Sequence, residues 1–284
     1  MKLFEKKKAP LAPKAEEPEK IKITVEVKPG SESPRTGKAF EKVAPKEIGK
    51  LDMGIAFDTT GSMAAYIEAV RAEVSELIPQ LFRDNDDLRL GIVAFGDYCD
   101  MPSATEFGRA YQCLMPTDNE NDLIRFIKES QDTTGGDGDE FYELVLRKII
   151  DETPWREGAT RSVLLISDAD PHPLGYSYLD RVVGNQIDWR EEGRKASRLG
   201  IKIDTVTIHG QDWYRELSVM TNGVSVPFRS GHKTADLVRA SVLSKGSRSA
   251  REKWDSLYAS CEDPELQKVY RSYSKTRFED TNED

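Results

Sequence analysis

The feature that most constrains this chain is an acid set between two kinds of hydrophobic pattern. Leu51-Asp52-Met53-Gly54-Ile55-Ala56-Phe57 is short and mostly apolar, the pattern of a buried strand. Asp58-Thr59-Thr60-Gly61-Ser62 follows at once. Beyond it Ile67, Val70, Val74, Leu77, Ile78 and Leu81 recur at the three-and-four spacing of an amphipathic helix. Asp58 therefore falls where a strand ends and a helix begins, the edge at which open α/β sheets bind ligands. A carboxylate followed by hydroxyls two and four residues on puts three hard oxygen donors, Asp58, Thr60 and Ser62, on one tight turn. Such donors suit Mg²⁺ or Ca²⁺ and suit thiophilic metals poorly. The turn lacks the Gly-Lys-Ser/Thr ending of a phosphate-cradling loop. The same residues also suit a plain helix cap, so the rest of the chain decides between the two roles.

The pattern of residues 51–244 alternates strand and helix. Strands are expected at 88–95, after the polar turn Asp84-Asn85-Asp86-Asp87, at an edge near 111–115, and at 201–208 and 224–228. Ser162-Val163-Leu164-Leu165-Ile166 is apolar throughout its last four residues, as a central strand covered on both faces should be. Helices are expected over 122–131, 139–153, 186–199 (ending at Gly200) and 234–243. Strands alternating with helices imply a doubly wound, mostly parallel sheet of about six strands with helices on both faces, a Rossmann-like α/β fold.

Three further segments flank this domain, which is expected to span 48–245. Residues 1–47 form a Lys/Glu/Pro-rich arm with too few large apolar residues to offset its ordering entropy. Within it Ile21-Lys22-Ile23-Thr24-Val25-Glu26-Val27 alternates strictly, and either pairs with a sheet edge or stays an extended linker. Residues 246–278 read as a helical extension carrying Trp254, Tyr258, Tyr270 and Tyr273, which docks on the domain or serves as a partner-binding arm. Residues 279–284 are an acidic tail.

Bulk properties exclude several classes. A net charge of −9 argues against nucleic acid as the main partner. No run approaches the roughly 20 apolar residues of a membrane span, and the basic start has no apolar segment behind it that would make a secretory signal. Cys99, Cys113 and Cys261 are odd in number and widely spaced, with neither a disulfide framework nor paired metal-ligand spacing. A reducing cytoplasm is the expected location.

Phe57-Asp58-Thr59-Thr60-Gly61-Ser62-Met63 resembles the Asp-x-Ser-x-Ser signature of the von Willebrand factor A (vWA) domain, with Thr60 in place of the first serine. That signature belongs to the metal-ion-dependent adhesion site (MIDAS), in which a divalent cation keeps one coordination position for a partner. The family adds an Asp directly after a central strand, and Asp168 after Leu164-Leu165-Ile166-Ser167 fits it. It also adds a ligand after paired glycines, commonly Thr. In Thr134-Gly135-Gly136-Asp137-Gly138-Asp139-Glu140 the expected ligand is Asp137, with Thr134 and Glu140 as alternates. This loop, together with Ser167-Asp168-Ala169-Asp170-Pro171-His172-Pro173, is similar to the bacterial vWA branch associated with α-kinases. The resemblance implies a cytoplasmic adaptor. Its bound Mg²⁺, replaceable by Mn²⁺ or Ca²⁺, would accept an Asp or Glu from a protein partner, within an ATPase or kinase system.

Electrostatics point the same way. Asp58, Asp137, Asp139, Glu140, Asp168 and Asp170 should converge on one sheet edge, joined by Asp97 and Asp100 from the turn after the second strand. Crowded carboxylates raise one another's pKa, and a divalent cation relieves them. Catalysis is the weaker expectation. Phosphohydrolases of the haloacid-dehalogenase type carry a second acid two residues after the first, where this chain has Thr60. A scaffold that makes no use of the metal is the other alternative. His172 is expected to be a loop residue or to line the binding face. His209 and His232 lack the second His or Cys of a zinc site.

Overall fold

The computed structural model describes residues 49–179, 186–228 and 233–280. In chain order the elements are β1 (Lys50–Asp58), α1 (Ala64–Asp84), β2 (Asp87–Phe95), β3 (Tyr111–Thr117), α2 (Glu120–Glu129), β4 (Asp139–Glu140) and α3 (Tyr142–Glu152). They continue with β5 (Thr160–Ser167), β6 (Asp170–Pro171), α4 (Trp189–Arg198), β7 (Ile201–Thr207), α5 (Asp212–Met220) and β8 (Ser225–Pro227). Three helices close the chain: α6 (Thr234–Lys245), α7 (Arg248–Ser260) and α8 (Pro264–Asp280).

The main sheet has six strands in the order β3-β2-β1-β5-β7-β8. All neighbours run parallel except β3, which pairs antiparallel with β2 at the edge. Because side chains alternate along a strand, each central strand feeds two cores. Leu51, Met53, Ile55 and Phe57 of β1, with Leu164 and Ile166 of β5, face α1, α2 and α6. Ala56 of β1, Val163 and Leu165 of β5, and Phe95 of β2 face α3, α4 and α5. The expected doubly wound α/β architecture is what the chain adopts.

The alternation also puts Asp58 on the α3 side at the carboxyl end of β1, in register with Phe95. β1 lies between β2 and β5, where successive connections run off in opposite directions. This is the switch point at which such sheets open a crevice.

The C-terminal helices pack on the domain. Trp254 of α7 and Val269, Tyr270 and Tyr273 of α8 are buried in the same core as α1 and α6. Trp254 meets Tyr270 edge-on, with ring centroids 4.7 Å apart.

Some elements differ from the sequence reading. The helix expected from 139 begins instead with β4, which pairs with β6, and α3 starts at Tyr142. Helix α5 was not legible, although Trp213, Tyr214 and Leu217 form its buried face. The alternating segment 21–27 and His232 lie outside the described residues.

Candidate metal centre

The turn after β1 is fixed from below. Thr59 extends the sheet by donating its backbone N–H to the Phe95 carbonyl at 2.8 Å, and its hydroxyl donates to the same carbonyl. The Asp58 carboxylate is fully buried and has three donors. Oδ1 accepts the Thr60 backbone N–H at 2.8 Å, while Oδ2 accepts the Tyr142 hydroxyl at 2.7 Å and the Ser167 hydroxyl at 3.2 Å. The chain then enters a short 3-10 turn, Gly61–Met63, ahead of α1. This brings the Thr60 and Ser62 hydroxyls within 3.2 Å of each other. Ser62 in turn donates to Asp168 Oδ1 at 3.2 Å. Asp58, Thr60, Ser62 and Asp168 are thus gathered from two strand ends.

The glycine loop approaches closely. Gly61 donates its N–H to the Thr134 carbonyl at 3.3 Å, and Thr133 donates its N–H to the Thr59 carbonyl at 3.0 Å. A Cβ on Gly96 would stand 2.4 Å from the Thr133 hydroxyl oxygen, so only glycine fits beside this crossing. Asp100 supports the loop by accepting the backbone N–H groups of Thr134 and Gly135 at 2.8 and 3.1 Å. Gly135 has φ +69°, and a Cβ there would lie 2.8 Å from Glu140 Oε1 and 3.4 Å from Thr60 Cβ. The Glu140 carboxyl therefore comes up to Thr60 through space left by a missing side chain.

The three acidic or hydroxyl residues expected of this loop separate. Glu140 is buried, at 3% exposure, and its Oε2 has no hydrogen-bond partner. Asp137 is exposed; it accepts the Asp139 N–H at 3.1 Å and the Tyr176 hydroxyl at 3.2 Å, and is grouped with Asp97 and His172. Thr134 is exposed, and its hydroxyl accepts from Arg109 at 3.2 Å. Asp100 serves the loop's backbone, while Asp97 pairs with His172.

Burial dominates the proton affinities. It pushes Asp58 up to about 6, against the pull of the Thr60 and Tyr142 hydrogen bonds. It pushes Glu140 up to about 10, with the negative charges of Asp58 and Asp97 adding to the effect. Asp139 and Asp170 also rise, again chiefly through burial. Among the described residues no Lys or Arg forms an ion pair with Asp58, Glu140 or Asp168; exposed His209 stands 3.9 Å from Asp168. A set of carboxylate and hydroxyl oxygens with one buried oxygen unpartnered fits a hard divalent cation.

Sequence reasoning missed Tyr142 and Ser167, which hold Asp58 in place. Ser167 was visible beside Asp168, but its neighbour in space is Asp58. Tyr142, at the start of α3, gave no signal at all.

Among the described residues no helix is long and apolar enough to cross a membrane. No curated protein matches the chain. Two solved structures of proximal thread matrix protein 1 from the mussel byssus are similar. One, described as having a zinc-occupied MIDAS motif, is 13% identical, with a TM-score of 0.46 over 63% of this chain and 42% of that one. The other, a second crystal form, is 14% identical, with a TM-score of 0.50 over 69% and 48%. The chain thus spans about half the length of these proteins, and the likeness concerns the fold. The family profile described as von Willebrand factor type A domain matches residues 52–236. With that match over most of its length, the chain belongs to the vWA family, whose domains commonly mediate metal-dependent protein–protein interaction.

Proposed function

We propose that this chain is a metal-dependent protein-binding module that holds Mg²⁺ with Asp58, Thr60, Ser62, Asp168 and Glu140, and recruits a partner through that partner's Asp or Glu. The observation that carries the reading is the Glu140 carboxyl, buried beside Asp58 and Thr60 with one oxygen unpartnered. Burying a carboxyl without a partner is costly unless a ligand completes the site. Of the glycine-loop candidates, Glu140 is the one directed towards Thr60, and Asp137 and Thr134 have other partners.

A bound divalent cation supplies positive charge to which a partner's carboxylate is drawn. The chain's own residues do the rest. Tyr142 and Ser167 fix one oxygen of Asp58, and the Thr60 N–H fixes the other. Thr60 and Ser62 offer neutral oxygens, which leave more of the charge for the partner than carboxylates would. Asp168 orients Ser62. The role proposed for this constellation is binding, as an adaptor, and needs no bond to be made or broken. Mn²⁺ or Ca²⁺ would substitute for Mg²⁺. The Gly135-Gly136-Asp137-Gly138 loop and Asp168-Ala169-Asp170 support placement beside the α-kinase-associated branch, hence a cytoplasmic partner system containing a kinase or an ATPase. In this reading residues 1–47 are a tether and residues 246–278 a helical brace of the domain.

The test is a thermal melt with and without Mg²⁺. At a hundredfold excess over Kd, wild type should gain about 2.7 kcal/mol, roughly 5–10 °C for a domain of this size. Asp58→Ala should gain nothing. An equal rise in Asp58→Ala, or none in wild type, sinks the proposal.

A further inference from the structure

A second constellation lies beside the first and differs from it in chemistry. His172 and Asp97 are both buried, at 4% and 0% exposure, with the imidazole Nε2 2.6 Å from Asp97 Oδ1. Asp137 reaches in from the exposed loop, so that one atom each of Asp97, Asp137 and His172 lie within 4.8 Å of one another. The arrangement is braced around the histidine. Tyr176 stacks on the His172 ring at 3.6 Å and 14°, and donates its hydroxyl to Asp137 Oδ2 at 3.2 Å. His172 Nδ1 is buried without a partner among the described residues. Gly136 lies beside the group: a Cβ there would crowd Cys99, 3.1 Å from its Sγ, and come within ordinary contact, 3.7 Å, of Asp97 Oδ2.

We infer that Asp97, Asp137 and His172 form a second cation site, suited to a borderline-soft divalent ion such as Zn²⁺, separate from the hard-oxygen centre built on Asp58. One imidazole with two carboxylates is a donor set for zinc and its neighbours, whereas Mg²⁺ favours oxygen and water. Zinc bonds of about 2.0–2.2 Å at tetrahedral angles put ligand atoms about 3.4 Å apart. The buried pair would open by less than about 1 Å, and Asp137, within 4.8 Å of the other two, would move inwards by up to about 1.4 Å. Its place on the exposed glycine loop allows that motion. Tyr176 then plays the part of the outer partner that orients a ligating residue. The bland alternative is a structural hydrogen bond between Asp97 and His172. It accounts for the 2.6 Å contact, but not for Asp137 and Tyr176 closing over the pair.

The experiment uses the untagged full chain, stripped with EDTA and then held in excess Mg²⁺ to occupy the hard centre. Co²⁺, whose visible absorption reports nitrogen-containing tetrahedral sites, is titrated in, and Zn²⁺ then displaces it. One equivalent of Co²⁺ should bind with a visible band. Asp137→Asn, an exposed change that spares the fold, should weaken binding at least about tenfold, and His172→Gln should do the same. Asp58→Asn should leave the band intact. Co²⁺ binding unchanged in Asp137→Asn, or abolished by Asp58→Asn, overturns the inference. The Mg²⁺-dependent melt of Asp137→Asn, expected to match wild type, keeps this outcome distinct from failure of the first site.

Discussion

Glu140→Gln probes the metal-free centre most directly. A glutamic acid ordinarily releases its proton near 4.5, but in the fold burial and the charges of Asp58 and Asp97 hold that proton up to about 10. Between those values the unfolded chain binds fewer protons than the folded one, so stability falls as pH rises, by about 1.4 kcal/mol per pH unit. At pH 7 this site has cost the metal-free fold about 3 kcal/mol relative to pH 4.5. Glutamine has nearly the shape of the protonated acid and no proton to release. Its amide N–H₂ meets the same unpartnered surroundings as the acid's O–H, so that cost largely cancels. In EDTA, Glu140→Gln should therefore match wild type near pH 4.5 and exceed it by about 3 kcal/mol at pH 7, roughly 6–12 °C in melting temperature. Mg²⁺ should narrow or reverse the gap, because wild type gains an anionic ligand that glutamine lacks. Urea unfolding across pH 4.5–8, with and without Mg²⁺, measures the difference. A pH-independent gap, or a less stable Glu140→Gln in EDTA, would refute the reasoning.

Two further outcomes follow from the packing around the site. Tyr142→Phe removes a hydroxyl donor to the buried Asp58 carboxylate and should cost about 1.5–3 kcal/mol at neutral pH; carbon-13 NMR of the Asp58 carboxyl should show it titrating above about 6, and an unmoved midpoint would contradict the assigned hydrogen bond. Trp254→Ala empties a fully buried aromatic cluster with Tyr270 and Tyr273 and should cost about 3–5 kcal/mol in urea unfolding; a loss under about 1 kcal/mol would mean the C-terminal helices do not share the domain's core.

What could be read from the sequence was what local pattern decides. Asp58 and Asp168 each end an apolar strand, and neighbouring parallel strands must bring such ends to one edge. Thr60 and Ser62 ride on the same turn as Asp58. The glycine loop was legible as a loop but not in its detail. Which of its acids turns inward depends on the two-residue pairing of β4 with β6, which sets Asp139 opposite Asp170 and Glu140 opposite Pro171. Strand alternation then leaves Asp139 half-exposed and buries Glu140. No local signal announces a strand that short. Tyr142 and Ser167 escaped for a related reason, since both serve Asp58, 84 and 109 positions away in the chain; His172 was legible as a residue of the binding face or its loop, but not as the partner of Asp97, 75 positions away. Helix α5 has too few turns for its apolar spacing to stand out against the loops around it.

The hydrogen bonds beneath the centre bear on how strongly it can select for its cation. Asp100 holds the glycine loop through Thr134 and Gly135, and Arg109 braces Asp100 at 3.3 Å. Thr59 and Thr133 lock that loop to the strand end through backbone and hydroxyl bonds. The position of Thr133, Thr134 and Gly135 at the start of the loop is therefore set by protein contacts rather than by the ion, and little ordering entropy remains to be spent there when a cation binds. The opposing cost is electrostatic: Asp58 and Glu140 must both be deprotonated to act as anionic ligands, and both resist it. A rigid frame with reluctant acids gives an affinity that falls as pH drops towards 6, because each proton retained competes with the cation. Positioning by the frame and charge by the acids are thus separable. Substitutions at Asp100 should loosen the loop, whereas substitutions at Glu140 should change the charge and leave the loop in place.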